Sequence, residues 1–544
     1  MAITISSNSA SRPSLHARSY CETPPKRARP PVRAGGSGLL VCLLTALTAA
    51  PAAQSGADLK ARVADWVNGN QPALVGELES LLSIPNVASD RPNIQRNARH
   101  LLQMLARRGF AAEILETAGN PLVYGELRVP AATRTVLFYS HYDGQPVDPK
   151  AWKQPDPFTP VLRTGRLDQG GEPVRDLVSG GSRPPYRDDW RLYARSASDD
   201  KSPIVGLCAA LDALKALGLQ PSMNVRVILD GEEEASSPSL VPAIGRYREK
   251  LRADLMVILD GPIHSSGRPT IAYGARGIVT LNLTVFGPKA GVHSGNYGNW
   301  IPNPAQRLAS LLASMKDDSG RVLVKGFYDS LAPLSKEEQA LLDAVPEDAS
   351  RMLRTFGVAS PAAAFESLQA ALQAPTLNIR GLASAHVGAG ARTIIPDRAT
   401  AAMDIRLVKE TPAADLVDKL RAHVRAQGYH LIDGEPDDDT RARHARIASI
   451  VPSETGMDAF RTSPLDPQAR RVAAALEQAF GAPPVQLRTL GGSVPIAPFI
   501  EALGFPAILV PVVNFDNNQH EENENLRLGN FFQGIEIIAA ILRS

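Results

Sequence analysis

Cysteine is scarce in this chain: 544 residues contain only Cys21, Cys42 and Cys208. Only Cys208 lies beyond the first 53 residues, so the rest of the chain cannot form an intramolecular disulfide. Cys208 stands in "IVGLCAALDALKAL", which has the spacing of an apolar helix face, and a cysteine there packs as a small core residue. The sequence therefore argues against a disulfide scaffold and against a cysteine nucleophile.

The chain also lacks an excess of charge of either sign. It carries 58 Lys and Arg against 56 Asp and Glu, a formal net charge of +2. Without residues 1–53 the balance becomes 52 against 55, or −3, because that segment holds six basic residues and one acidic residue. No basic stripe remains beyond this segment, which argues against a nucleic-acid partner.

Hydrophobic runs long enough to cross a membrane are absent as well. The apolar run from Gly38 to Ala50 is shorter than the about 20 residues that a spanning helix needs. It follows a basic segment and ends in small residues, which is the pattern of a secretory signal peptide cleaved near Ala52 or Ala53. We therefore expect residues 1–53 to be a signal peptide and leader. The mature protein is then secreted or periplasmic, without a membrane span.

The rest of the chain contains a series of apolar strands that end in polar residues. The runs "TVLFYS", "NVRVIL", "DLMVIL" and "FPAILVPVV" are nearly continuous, which is typical of strands buried on both faces. Amphipathic helical patterns lie between them. This order predicts an α/β fold with a mixed, largely parallel sheet flanked by helices. Ligand sites in such sheets lie beyond the carboxyl ends of the strands.

Residues 273–455 have a different texture. The alternating run "GIVTLNLTVFG" predicts a strand, "NPAQRLASLLASM" a helix, residues 400–408 a second strand, and "PAADLVDKLRAHVRAQG" a second helix. Because one core rarely serves so long a chain, we expect an inserted α+β domain here. The main domain then consists of residues 54–272 and 456–544.

Acidic and histidine residues gather where the apolar strands end. Each alone has an ordinary explanation, such as a turn, a helix N-cap or a solvated helix start. Together at one end of a sheet they would repel one another unless cations compensate them. Imidazole and carboxylate are suitable ligands for zinc and similar metals, and a carboxylate can bridge two ions. These residues are His141, Asp143, Asp199, Asp200, Glu232, Glu233, Glu234, Asp260 and His520.

The motifs that hold these residues resemble those of a known enzyme family. "SHYDGQPVD", "ASDDKSP", "DGEEEASSPSL", "GVHSGNYG" and "HEENEN" are similar, in order and spacing, to motifs of the dinuclear zinc hydrolases. That family includes carnosinase, aminoacylase, glutamate carboxypeptidase and succinyl-diaminopimelate desuccinylase, and the resemblance covers almost the whole mature chain. It implies two bound divalent ions, zinc first, with manganese and cobalt as alternatives. It also implies that the inserted domain is a lid and dimerisation domain.

The resemblance implies a role for each residue of the cluster. The metal ligands would be His141, Asp199, Glu234, Asp260 and His520, with Asp199 bridging both ions. Asp143 would orient His141 from behind, and Glu233 would be the general base. The three consecutive glutamates leave the register open, because a shift by one residue would make Glu232 the base.

Substrate contacts are implied in the inserted domain and in a later loop. His293 matches a family histidine that reaches the site of the partner subunit and stabilises the oxyanion, although a simple turn histidine fits the same sequence. "ARTIIPDRATAAMDIRLV" resembles lid strands that hold a substrate carboxylate, here through Thr393 and Arg406. "GGSVPIAPF" resembles a substrate loop, here Gly492 and Ser493. The implied partners are a small substrate and a second copy of the chain, which form a homodimer through the lid domain.

These features together predict a metal-dependent hydrolase. A water held between the two ions would attack the peptide or amide carbonyl, and Glu233 would take its proton. We expect a dipeptidase or exopeptidase that acts on a small peptide. The alternative is an N-acyl-amino-acid amidohydrolase that acts on an acylated amino acid. A catalytically silent peptide-binding protein would lack at least one ligand or the base, and none is missing.

Overall fold

The computed structural model describes residues 56–174, 186–454 and 456–544. The expected signal peptide and its cleavage position lie outside the described residues. Among the residues described, no helix is long and apolar enough to cross a membrane.

The described residues form fourteen α-helices and twenty β-strands. The helices are α1 (Gly56–Leu82), α2 (Arg91–Ala106), α3 (Lys201–Ala216), α4 (Leu240–Leu251), α5 (Ser294–Tyr297), α6 (Pro304–Ala313), α7 (Lys336–Asp343), α8 (Ala349–Phe356), α9 (Leu368–Leu372), α10 (Ala413–Ala426), α11 (Asp438–Arg443), α12 (Pro467–Phe480), α13 (Ala497–Leu503) and α14 (Leu528–Leu542). The strands are β1 (Ala111–Leu115), β2 (Leu122–Leu127), β3 (Thr135–His141), β4 (Val161–Arg163), β5 (Arg191–Tyr193), β6 (Asn224–Asp230), β7 (Leu255–Ile258), β8 (Thr270–Ala272), β9 (Gly274–Ala275), β10 (Gly277–Phe286), β11 (Val292–His293), β12 (Asn378–Ala383), β13 (Ile394–Ile395), β14 (Arg398–Leu407), β15 (His430–Leu431), β16 (Ile447–Pro452), β17 (Phe460–Arg461), β18 (Val485–Leu487), β19 (Ala507–Leu509) and β20 (Asn525–Arg527).

The larger sheet has eight strands in the order β1-β2-β6-β3-β7-β19-β8-β18. The four central strands β6, β3, β7 and β19 run parallel, whereas β1 and β2 are antiparallel to their neighbours and β8 is antiparallel to β19. The four apolar runs of the sequence supply these central strands. The predicted mixed, largely parallel sheet is therefore confirmed.

Both faces of this sheet are covered by helices, which explains the continuous apolar runs. Along β3, Val136 and Phe138 point into a core that α1, α3, α12 and α14 share. Leu137 and Tyr139 point to the opposite face, into a core that α4 and α13 cover. Because every position of the strand after Thr135 is buried, the alternation of polar and apolar residues that marks a half-exposed strand is lost.

The last of the four apolar runs forms a shorter strand than its sequence indicates. Only Ala507–Leu509 pair with β7, although the apolar run continues to Val513. The backbone N–H of Val510 still donates to the Ile258 carbonyl at 2.8 Å. Pro511 has no N–H to extend the ladder, so the strand ends there.

The smaller sheet has five strands in the order β12-β14-β10-β16-β15. Four of these strands lie within residues 378–452, and β10 precedes them in the chain. The expected strand, helix, strand, helix order appears as β10, α6, β14 and α10, and the two helices contribute to one apolar core with the sheet. The short strands β9 and β17, which pair with each other, flank this unit at its entry and exit. The boundaries at residues 273 and 455 stay a prediction.

Candidate metal centre

The register of the large sheet brings the carboxyl ends of its central strands to one place. His141, the last residue of β3, lies opposite Asp230, the last residue of β6. On the other side of β3, Tyr139 pairs with Ile258, the last residue of β7. Glu234 and Asp260 follow β6 and β7 within four residues. Their side chains therefore reach the edge where His141 lies.

Two groups of side chains offer ligand atoms that lie within 4.8 Å of one another. The first group is His141, Asp199 and Asp260, and the second is Asp199, Glu234 and His520. His141 Nε2 lies 3.0 Å from Asp199 Oδ1. His520 Nε2 lies 3.2 Å from Asp199 Oδ2 and 3.6 Å from Glu234 Oε2. The five residues predicted as ligands thus lie together, and Asp199 presents one oxygen to each histidine.

The pKa shifts of these groups indicate that the carboxylates of the site are not compensated by enough positive charge. Burial, reinforced by the charge of Asp199, raises the pKa of Glu234 to about 7 and that of Asp260 to about 6. The close approach of the Asp199 carboxylate raises the pKa of His520 to about 9. Burial opposes ionisation of Asp199, but the contacts of its carboxylate with His141 and His520 outweigh burial and lower its pKa. The cluster therefore favours any cation that can enter it.

The donor set fits divalent metal ions. Asp199 is buried, and its Oδ2 atom accepts no hydrogen bond with acceptable geometry from any described residue. A buried carboxylate oxygen left without such a donor is costly unless a cation binds it. Two histidines and three carboxylates match the ligands that zinc and its neighbours take in proteins. These residues could hold two ions with Asp199 between them.

Asp143 organises the turn that carries the glutamates. Its two carboxylate oxygens accept the backbone N–H groups of Glu233 and Glu234, each at 3.0 Å. His141 Nδ1 lies 3.2 Å from the Asp143 backbone carbonyl and 3.4 Å from its carboxylate. Asp143 therefore contacts the ring nitrogen of His141 that faces away from Asp199, as expected for an orienting residue. The Asp143 carboxylate also holds the turn of Glu233 and Glu234 in place, a contact that the sequence did not indicate.

The placement of the three glutamates favours Glu233 as the base. The Glu232 carboxylate accepts the backbone N–H groups of Asn120 and Ser239 at 3.0 and 2.9 Å, so it is fully engaged away from the ligand groups. Glu233 belongs to neither ligand group, and its carboxylate forms no hydrogen bond or ion pair with another described residue. Glu234 belongs to the second group and accepts a hydrogen bond from Gln145 at 2.6 Å.

The Asp-Asp-Lys motif anchors the segment of Asp199 to two parts of the molecule. Asp200 turns back to β3, where its carboxylate accepts hydrogen bonds from the Ser140 hydroxyl and, at 3.3 Å, from the His141 backbone N–H. Lys201 is buried and donates to the carbonyls of Leu81 and Ile84 at the end of α1. Of the three motif residues, only Asp199 belongs to the two ligand groups.

Glu524 holds the segment of Asp199 in place, a contact that the sequence did not reveal. Its buried carboxylate accepts the backbone N–H groups of Ser196, Ser198 and Asp199 at 2.8–3.0 Å, and it pairs with Arg195 at 2.9 Å. It therefore ties the Asp199 segment to the loop that carries His520, four residues earlier. Its place in "HEENEN" looks like any acidic loop position, so nothing but the fold distinguishes it.

The predicted substrate residues fall into two further groups. His293 and Thr393 lie together on the short β11–β13 ribbon, where both are exposed and Ser294 N–H donates to the Thr393 carbonyl at 3.0 Å. His293 Nδ1 accepts only the local N–H of Gly295, at 3.0 Å. No described hydrogen bond or ion pair joins this pair to the ligand groups of the same chain.

The second substrate group lies on the loop after β18. Arg406 of β14 donates to the Ser493 hydroxyl at 2.8 Å, so the lid strand meets the Gly492–Ser493 loop. Two residues of the long α6–β14 connection brace the start of this loop. Glu338 of α7 pairs with the Arg488 guanidinium at 2.7 Å, and Gln373 accepts from the same group at 2.8 Å.

Comparison with known proteins agrees with this picture. The model of the Peptidase family M20/M25/M40 matches residues 176–544. The Cys-Gly metallodipeptidase DUG1 of Candida albicans is 26% identical over 502 residues, which is 88% of this chain and 96% of that protein. The Beta-Ala-His dipeptidase of Homo sapiens is 28% identical over 429 residues, 77% of this chain and 76% of that protein.

A solved structure extends the agreement to the fold. The M20 family metallo-carboxypeptidase Sso-CP2 from Sulfolobus solfataricus superimposes with a TM-score of 0.68 at 26% identity, covering 86% of this chain and 98% of that one. Both the resemblance drawn from the motifs and the α/β fold are thus confirmed. The chain belongs to the Peptidase family M20/M25/M40.

Proposed function

We propose that this protein is a metal-dependent dipeptidase or exopeptidase that cleaves small peptides with two bound zinc ions. The observation that carries the proposal is the arrangement of Asp199 and Glu233. Asp199 belongs to both ligand groups, and Glu233 lies beside them without a partner of its own. Relatives named as a Cys-Gly metallodipeptidase and as a Beta-Ala-His dipeptidase support the substrate class.

The residues divide the work of hydrolysis between them. The five residues His141, Asp199, Glu234, Asp260 and His520 would hold divalent ions, whose Lewis acidity would lower the pKa of a water and polarise the substrate carbonyl. Burial raises the pKa of Glu233 well above that of an ordinary glutamate, which suits a group that must take a proton and give it back. Glu233 removes a proton from the attacking water and delivers it to the leaving amine. Asp143 keeps Glu233 in place through its backbone N–H.

Removal of metal tests the proposal directly. Dialysis against a chelator is expected to abolish hydrolysis of dipeptides, because the carbonyl and the water lose their activation together. Zinc should restore activity, and manganese and cobalt are tested in parallel. A panel of dipeptides and N-acetyl amino acids, assayed before and after dialysis, identifies the substrate class. Cleavage of the acylated compounds alone would make the protein an amidohydrolase, and unchanged turnover after complete metal loss would overturn the proposal.

We also propose that residues 273–455 form a lid domain that makes the protein a homodimer, and that His293 acts in the site of the partner subunit. All six residues of β12 are exposed at the edge of the five-stranded sheet, and Leu382 keeps 63% of its surface exposed. Exposed edge strands with apolar residues pair readily with another chain. His293 is exposed on the same unit, and no hydrogen bond or ion pair among the described residues joins it to the ligand groups of its own chain.

Mixing two inactive variants tests this arrangement. H293A and E233Q are each expected to be inactive, but mixed dimers should regain activity, because an intact Glu233 site then receives an intact His293. The measurement is turnover after the two proteins are unfolded and refolded together. E233Q mixed with H141A is the control. Each of these substitutions inactivates the site of the chain that carries it, so no mixed dimer has an intact site. Equal activity in both mixtures would rule out an exchanged histidine.

For the N-terminal segment we propose a signal peptide of about 53 residues and export from the cytoplasm, which rests on the basic leader and the apolar run alone. Sequencing the N-terminus of the protein recovered from the source cells tests this. A mature protein that begins at Met1 contradicts it.

A further inference from the structure

Arg276 is the single residue between strands β9 and β10. Strand β9 pairs with β17, whereas β10 belongs to the smaller, five-stranded sheet. Arg276 therefore lies where the chain passes from the main unit into the inserted one. Strand β10 pairs with β14, and Ile278 lies opposite Arg406. The two arginines are thus close neighbours across the start of this ribbon.

Arg276 contacts three consecutive carbonyls of the substrate loop. Its backbone N–H donates to the carbonyls of Leu490 and Gly492 at 3.1 and 3.2 Å. Its side-chain Nε donates to the Gly491 carbonyl at 3.4 Å. Arg406 reaches the next residue, Ser493, through its hydroxyl. The two guanidinium groups therefore contact the same loop, Arg276 at Gly491 and Arg406 at Ser493.

Neither guanidinium has an acidic partner. Among the described residues, no carboxylate lies within 4.0 Å of Arg276 or Arg406, whereas Arg461, Arg488 and Arg195 each have one. The charge of Asp404 favours the charged form of Arg276, but the Asp404 carboxylate already accepts a hydrogen bond from Asn378 at 3.0 Å. Burial, followed by the charge of Arg406, lowers the pKa of Arg276 to about 10, so it still carries its charge at neutral pH.

Two half-buried cations side by side are unfavourable unless an anion joins them. The loop beside them has room for one, because a Cβ built on the exposed Gly492 would meet no atom within 4 Å. A carboxylate matches the geometry of guanidinium groups and binds them through charge-assisted hydrogen bonds, and it is the anion that a peptide carries at its C-terminus. We propose that Arg276 is a second cationic contact, beside Arg406, for the terminal carboxylate of a peptide substrate. The inference rests on the proposed peptidase function and goes beyond it to the end of the peptide that is recognised.

A comparison of two substrates tests the proposal. Alanylalanine and its carboxamide differ only in the charge at the C-terminus. R276A is expected to lower kcat/KM for the carboxylate form by about 10- to 100-fold, the usual loss for a charged hydrogen bond, and the amide form by less than about threefold. R276K keeps the charge but not the fork geometry, so its loss should be intermediate. R461K is the matched control. Arg461 lies opposite Gly274, which is two residues before Arg276 in the chain, but its guanidinium is paired with Glu410.

Binding measured by calorimetry in the metal-loaded E233Q background gives the same comparison without turnover. The proposal predicts that Arg276 strengthens binding of the carboxylate form over the amide. The proposal would be overturned if R276A weakened binding of both forms equally or left the selectivity unchanged. It would also be overturned if the parent protein bound both forms equally or bound neither. A wild-type enzyme that cleaves neither compound would count against the proposed function, while the calorimetric comparison still decides the role of Arg276.

Discussion

Replacement of Glu233 by Gln is expected to reduce kcat by about 10²- to 10⁴-fold, the range that general acid–base groups contribute. The amide cannot take the proton of the attacking water, but Glu233 belongs to neither ligand group, so metal binding should persist. The measurement is kcat on a dipeptide together with the metal content of the purified variant. Loss of metal in parallel with activity would instead identify Glu233 as a ligand.

The matched control for this variant is E232Q. Glu232 accepts two backbone N–H groups, and an amide would turn one NH₂ group toward one of those donors. We therefore expect a loss of about 1–3 kcal/mol in the free energy of unfolding, with kcat nearly unchanged. If E232Q lost turnover while E233Q kept it, the register of the three glutamates would be shifted by one residue and Glu232 would be the base.

The second large effect is expected from Glu524→Gln. The amide would break the buried pair with Arg195 and place a donor among backbone N–H groups that need an acceptor. Breaking a buried ion pair in this way costs about 3–5 kcal/mol in the free energy of unfolding. Because the same carboxylate positions Asp199, metal affinity should also fall by about 10- to 100-fold, as is usual when a residue behind a ligand is changed.

Urea unfolding and competition with a metal chelator measure the two effects separately. E522Q is the control, since Glu522 lies in the same loop but is exposed to solvent. It should leave both quantities unchanged. Destabilisation of E524Q with unaltered metal affinity would show that Glu524 supports the fold without positioning the bridging carboxylate.

Much of the metal centre could be predicted because local sequence reports the ends of buried strands. His141, Glu234 and Asp260 each follow an apolar run, and parallel pairing of those runs places them at one edge. Asp199 and His520 do not follow from strand patterns in the same way. Asp199 lies two residues before the first residue of α3, and His520 lies in a loop that returns after the inserted domain. Both were included in the predicted cluster, but their roles as ligands were implied by the motif resemblance.

Contacts between distant segments were beyond the reach of the sequence. Glu524 pairs with Arg195 across 329 positions, and Arg488 pairs with Glu338 across 150. In each case an ordinary surface composition conceals an ion pair whose partner only the fold identifies. The end of β19 before Pro511 is a case of the opposite kind. The missing N–H was visible in the sequence, but the continuous apolar run suggested a longer strand.

The long separation between Asp260 and His520 in the chain has a consequence for biosynthesis. A ribosome that adds about 5–20 residues per second needs roughly 13 to 50 seconds to pass from Asp260 to His520, a stretch of about 260 residues. Throughout that interval the nascent chain carries His141, Asp199 and Asp260 without the histidine of the second group. A hydrolase assembled in this order can complete its metal centre only after the whole inserted domain has been synthesised.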